Sequence, residues 1–116
     1  MKRTICEYMM WNGLPVIRKE IAETMIRDFG LSQKETAEKL GITPAAVCQY
    51  LSKKRGRINI SDDKILYEIR LSAKRIIENG AGEVIPETCR ICKIFRASEE
   101  FNEFYKMCEI EQNIVD

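Results

Sequence analysis

Leu31-Ser-Gln-Lys-Glu-Thr-Ala-Glu-Lys-Leu-Gly-Ile-Thr-Pro-Ala-Ala-Val-Cys-Gln-Tyr-Leu-Ser-Lys-Lys-Arg-Gly-Arg57 is the stretch whose reading decides the fold of this 116-residue chain. It reads as two short helices and a tight turn, spanning about residues 32–54. Ser32 with Glu35 three residues later forms a capping box, each side chain satisfying the other residue's amide. Ala37 and Leu40 continue the apolar face, and Gly41 stops the helix where a left-handed residue is needed. Ile42 fills the corner. Thr43 caps the second helix, and Pro44 suits its first position, where a missing N–H costs nothing.

The second helix sorts its side chains by face. Ala46, Val47, Tyr50 and Leu51 follow three- and four-residue steps and are expected to pack inward. Ala45, Cys48, Gln49 and Ser52 share the opposite side. That side is small apart from one glutamine, which suits close approach to a groove. Lys53, Lys54, Arg55 and Arg57 follow at its end, as sequence-independent pairing with phosphates requires.

Gln33 opening the first helix, Ala37 at its centre, Gly41 at the turn and Val47 inside the second helix are the residues on which positions 33–52 resemble the helix-turn-helix of lambda-repressor-like (XRE-type) DNA-binding domains. The resemblance implies an all-α helix-turn-helix bundle whose second helix enters the major groove of double-stranded DNA. It places Gln33, Thr43, Pro44, Ala45, Cys48 and Gln49 at DNA-facing positions. Pro44 and Ala45 depart from the long polar side chains common in that family. Base reading is therefore expected to rest on Gln49 and on apolar contact with thymine methyls.

Length allows one domain, or one domain with a small appendage. Hydrophobic residues make up 45% and charged residues 32%, which suits a folded soluble protein. No apolar run is long enough to span a bilayer, and Met1-Lys-Arg is not followed by an uncharged signal core, so a cytoplasmic location is expected. The net charge of +1 conceals an uneven distribution. Residues 31–60 hold six basic and two acidic side chains, whereas residues 97–116 hold one basic and six acidic. Positive charge thus gathers where DNA would sit, and the acidic end belongs away from it.

Upstream, residues 1–11 are apolar enough to pack, through Ile5, Tyr8, Met9 and Trp11. Asn12-Gly13 reads as a turn. A helix from Leu14-Pro15 to about Phe29 carries a stripe of Ile17, Ile21, Met25 and Phe29, and Gly30 ends it. Downstream, Ile58-Asn59-Ile60 alternates briefly and reads as an extended link or a wing-like contact. Ser61-Asp62-Asp63 then caps the longest helix, which runs to about Asn79-Gly80 with Ile65, Leu66, Ile69, Ala73, Ile76 and Ile77 as its apolar stripe. The width of that stripe leaves room for a dimer contact, and a homodimer is expected because such proteins bind paired half-sites. Gly80-Ala81-Gly82 marks the internal boundary between a DNA-binding unit, residues 1–80, and a helical extension, residues 81–116. In the extension Pro86 opens a short helix through Arg96, and Ser98-Glu99-Glu100 caps a last one carrying Phe101, Phe104, Tyr105, Met107 and Cys108.

The chain has five cysteines and no histidine, so a soft-metal site must be built from thiolates. Cys89-x-x-Cys92 is the natural half-site, and Cys6 and Cys108 are the other cysteines outside the second helix. Four thiolates suit tetrahedral zinc or an iron–sulfur cluster. The plain alternative is four small buried hydrophobes. Cys6-Glu7, Leu14-Pro15 and the late Cys89-Arg-Ile-Cys92, with the helix-turn-helix between, are also similar in layout to archaeal transcriptional regulators with a cysteine-bound cluster or redox site. That resemblance implies an iron–sulfur cluster and a sensing role, and Cys108 has no place in its pattern.

The function expected is therefore sequence-specific transcriptional regulation. The alternative is an antitoxin-like or adaptor protein whose acidic C-terminal part binds a protein partner. An enzyme is not expected: the sequence offers no histidine base, no glycine-rich phosphate loop and no convincing carboxylate pair, and the Cys-x-x-Cys lacks a thioredoxin-like strand–helix setting.

Overall fold

The computed structural model describes residues 13–52 and 60–102, and among these every regular element is helical. Helix α1 is Leu14–Arg27, α2 Gln33–Leu40, α3 Pro44–Ser52, α4 Asp63–Asn79 and α5 Val84–Arg96, with a 3-10 turn over Ala81–Glu83. A further helix begins at residues 99–102. The expectations for residues 1–12, for the Ile58-Asn59 link and for Phe104, Tyr105 and Met107 lie outside the described residues.

Most helix ends follow the local chemistry. Ser32 Oγ accepts from the Glu35 amide and Glu35 Oε1 from the Ser32 amide, both at 3.1 Å, so the capping box is complete. Asp62 caps α4 by accepting from the amides of Lys64 and Ile65. Helix α1 stops at Arg27, two residues before Phe29, and Gly30 turns the chain at φ +70°. Helix α5 begins two residues before Pro86, because the 3-10 turn runs straight into it. The proline takes a first-turn position, where no intrahelical hydrogen bond is lost.

Helix α1 packs against α3, α4 and α5, and α4 against α5. Ile17, Ile21 and Met25 from α1 meet Ile65, Ile69, Ala73 and Ile76 from α4 and Ile91 and Phe95 from α5, all at most 2% exposed. The α4 stripe is therefore largely consumed within the chain, with Leu66 and Ile77 half-buried at its edges. Phe101 joins the same cluster, edge-on to Phe95 with ring centroids 5.5 Å apart. The core thus runs continuously past Gly80 and Gly82.

A polar knot ties α4 to α5. Glu87 Oε1 accepts from Ser72 Oγ at 2.8 Å, Arg90 Nε at 3.1 Å and Arg75 Nη1 at 3.2 Å. Arg90 also donates to the Glu68 carboxylate, to the Glu68 carbonyl and to Ser72 Oγ. Burial alone would push the Glu87 carboxyl up, but these donors and the Arg90 charge outweigh it and hold it below the usual carboxylate range. Glu20, 5% exposed on α1, lies the other way. Burial pushes its carboxyl up, Glu23 adds to the rise, and Lys19 and Arg27 offset only part of it.

These two acids have opposite pH signatures. The contribution of Glu87 is complete above the ordinary carboxyl pKa of about 4.3 and is lost as pH falls through its depressed folded value. That of Glu20 is complete below the ordinary value and is lost as pH rises through its raised one. Glu87→Ala should lower stability at pH 7 by about 2–3 kcal/mol, somewhat less than a fully buried broken pair because both arginines keep contact with water. Denaturant titrations should show the Glu87→Gln deficit shrinking in acid. Glu20→Gln should be more stable than wild type at pH 7 and converge on it in acid; a less stable variant at pH 7 contradicts the assignment.

Candidate nucleic-acid interface

Helices α2 and α3 are joined by only Gly41, Ile42 and Thr43. Gly41 sits at φ +70°, its amide bonded to the Glu38 carbonyl, while the Ile42 amide reaches the Ala37 carbonyl at 3.0 Å. This paired closure satisfies the last carbonyls of α2 and reverses the chain. Thr43 Oγ1 then accepts from the Ala46 amide at 3.1 Å, which makes threonine the cap and Pro44 the first residue of α3.

The rotation of α3 is set by one side chain. Val47 is 0% exposed, and Ala46, Tyr50 and Leu51 are half-buried around it. Thr43, Pro44, Ala45, Cys48, Gln49 and Ser52 are all exposed. So is Gln33, at the start of α2. These are the residues expected at DNA-facing positions, and the structure brings those of α3 onto one uncharged face. Gln49 presents the longest polar side chain there, and Ser52 Oγ is turned back onto the Gln49 carbonyl at 3.2 Å. Lys53, Lys54, Arg55 and Arg57, expected at the phosphates, lie outside the described residues.

The cysteines divide differently. Cys89 is exposed on α5, and Cys92 is half-buried against the core. Arg90, between them in sequence, is drawn to Glu68 and Glu87, which fixes the register of α5 and turns Cys89 outward. Cys89 and Cys92 stand three apart on one helix, a spacing that makes them neighbours along it. Among the described residues no third Cys, His, Asp or Glu stands with them to complete a metal-binding group. Cys6 and Cys108 lie outside the described residues.

Two features of the structure have no signature in local patterning. Ala81 of the 3-10 turn abuts the α2–α3 turn closely enough that a Cβ on Gly41 would meet its methyl at 3.4 Å. Glu100 reaches across to the start of α4. Each joins positions about 40 residues apart, beyond the reach of any helical period.

The chain matches no protein-family model, no curated protein and no solved structure. No helix among the described residues is long and apolar enough to cross a membrane.

Gly41→Ala should cost about 1–2 kcal/mol, since the left-handed backbone strains any side chain there while the 3.4 Å approach to Ala81 is an ordinary contact. Thermal unfolding monitored by circular dichroism measures this. A variant as stable as wild type would show that the turn does not require glycine.

Proposed function

We propose that this chain is a sequence-specific, double-stranded-DNA-binding transcriptional regulator of the lambda-repressor-like helix-turn-helix type, acting as a homodimer. The observation that carries the reading is the arrangement of α3. It is a short helix with one side chain fully seated in the fold and its opposite face small, uncharged and open. A major groove admits a helix of that profile, because small residues let the backbone approach the base edges and a single amide can then read one of them.

In this reading Gln49 donates and accepts at one adenine, while Ala45 and the β-carbons of Thr43 and Cys48 lie against thymine methyls. Gln33 and Ser52 bond phosphates at the two ends of the unit, and Lys53, Lys54, Arg55 and Arg57 supply the charge that holds it to any duplex. One such unit offers few base contacts, which is why a dimer on paired half-sites belongs to the proposal.

Selection from a pool of random duplexes should enrich a defined site with two half-sites about one helical turn apart. On that site Gln49→Ala should cost roughly 1–3 kcal/mol and relax preference at one base pair. Lys53→Ala or Lys54→Ala should instead weaken binding to all duplexes and flatten the salt dependence. Equal weakening by Gln49→Ala on selected and random DNA, or no enriched site at all, contradicts the reading.

The cysteine pair extends the proposal to sensing. Cys89 and Cys92, with Cys6 and Cys108, would hold an iron–sulfur cluster, or zinc in its place, and a cluster lost on oxidation or iron shortage would supply the signal. Protein purified without oxygen should contain iron and acid-labile sulfide. Metal-free protein whose DNA affinity ignores Cys92→Ala would remove this part of the proposal and leave the DNA-binding part standing.

A further inference from the structure

The apolar stripe of α4 is used up in the core, so two copies that meet through this helix must meet on its other side. There Tyr67 is 61% exposed, and Leu71, one turn on, is half-buried. Lys64, Lys74 and Glu78 stand exposed along the same side, and none of them forms an ion pair among the described residues. At seven-residue steps Lys64, Leu71 and Glu78 fall in one row, with Tyr67 and Lys74 in the row beside it. The flanks are already engaged: Glu68 and Arg75 are held by α5, and Arg70 lies over the Phe29 ring.

Two of these charges oppose the helix that carries them. Unpaired amides at a helix N-terminus favour acids, and unpaired carbonyls at its C-terminus favour bases. Lys64 lies in the first turn of α4 and Glu78 in the last, which holds no basic residue. Within one chain neither meets an opposite charge. A second α4 laid antiparallel supplies both. About a two-fold axis beside Leu71, positions equally far from it on either side come together. Leu71 then lies on the partner's Leu71, Lys64 on the partner's Glu78, and the Tyr67 ring along the aliphatic stem of the partner's Lys74. A parallel pair would instead set like charges together at both ends.

We propose that two copies of this chain associate through the outer face of α4, antiparallel and centred on Leu71. This names the surface of the homodimer in the proposed function, and it rests on that reading for the number of copies alone, not for DNA.

Sedimentation equilibrium without DNA, at low ionic strength and from about 1 µM to 1 mM protein, tests it. Wild type should be a concentration-dependent dimer, and Leu71→Asp should abolish it. Lys64→Glu and Glu78→Lys should each weaken it by about tenfold or more, because each sets like charges together twice in a symmetric contact. The variant carrying both changes restores opposite charges and should return to within about threefold of wild type. Both charge changes suit the helix dipole, so melting temperatures measured at the lowest concentration should not fall, which separates a lost dimer from a lost fold. A protein monomeric throughout the series, single variants that dimerise like wild type, or a double variant as weak as the singles would overturn the proposal. Selection of a paired DNA site is measured separately: a dimer that enriches no site defeats the regulator reading and leaves this surface standing.

Discussion

Everything proposed for this chain depends on the seating of Val47. A nine-residue helix has no stability of its own in water, because the entropy of fixing its first turn is not recovered over so few hydrogen bonds. Helix α3 exists because its start is capped by Thr43, its approach is fixed by the left-handed Gly41, and its one fully buried side chain locks its rotation. The same lock decides which residues face outward. Rotating the helix by a single residue, about 100°, would carry Gln49 off the open face and bring bulkier neighbours onto it.

The local grammar of this unit is legible in the sequence. Ser32 and Glu35 are three apart, Gly41 follows the last apolar residue of α2, and Thr43-Pro44 suits the beginning of a helix. The faces of α3 are readable for the same reason: Val47 sits within four residues of Tyr50 and Leu51, and helical spacing alone orders them. Helix α4 is equally readable, from Asp62 at its start to Gly80 at its end. Boundaries slip where a neighbour intervenes. The start of α5 moves to Val84 because the 3-10 turn feeds it, which no propensity at Pro86 announces.

What the sequence conceals is the polar and long-range half of the structure. Glu87 and Arg90 are spaced as helical partners, a visible signal, yet nothing local says that Ser72 and Glu68 of another helix complete their set. Ser72 interrupts the apolar stripe of α4, and a serine in that position is itself a signal of a buried acceptor opposite. Glu20 gives no signal at all, since a glutamate on an amphipathic helix reads as solvated. The tie from Glu100 to Ser61 and Asp62 crosses about 40 residues and depends on the packing of Phe101 and Ile60. These ties make residues 81–102 a mechanical continuation of the helices before them.

The central claim concerns one face of one helix, and amide chemical shifts report on it most directly. Isotopically labelled protein titrated with a selected duplex should show its largest backbone and side-chain shifts at Ala45, Cys48, Gln49 and Ser52, with Val47 and the α4–α5 knot unmoved. Shifts concentrated on α5 with α3 silent, or none at all at saturating DNA, would contradict the account.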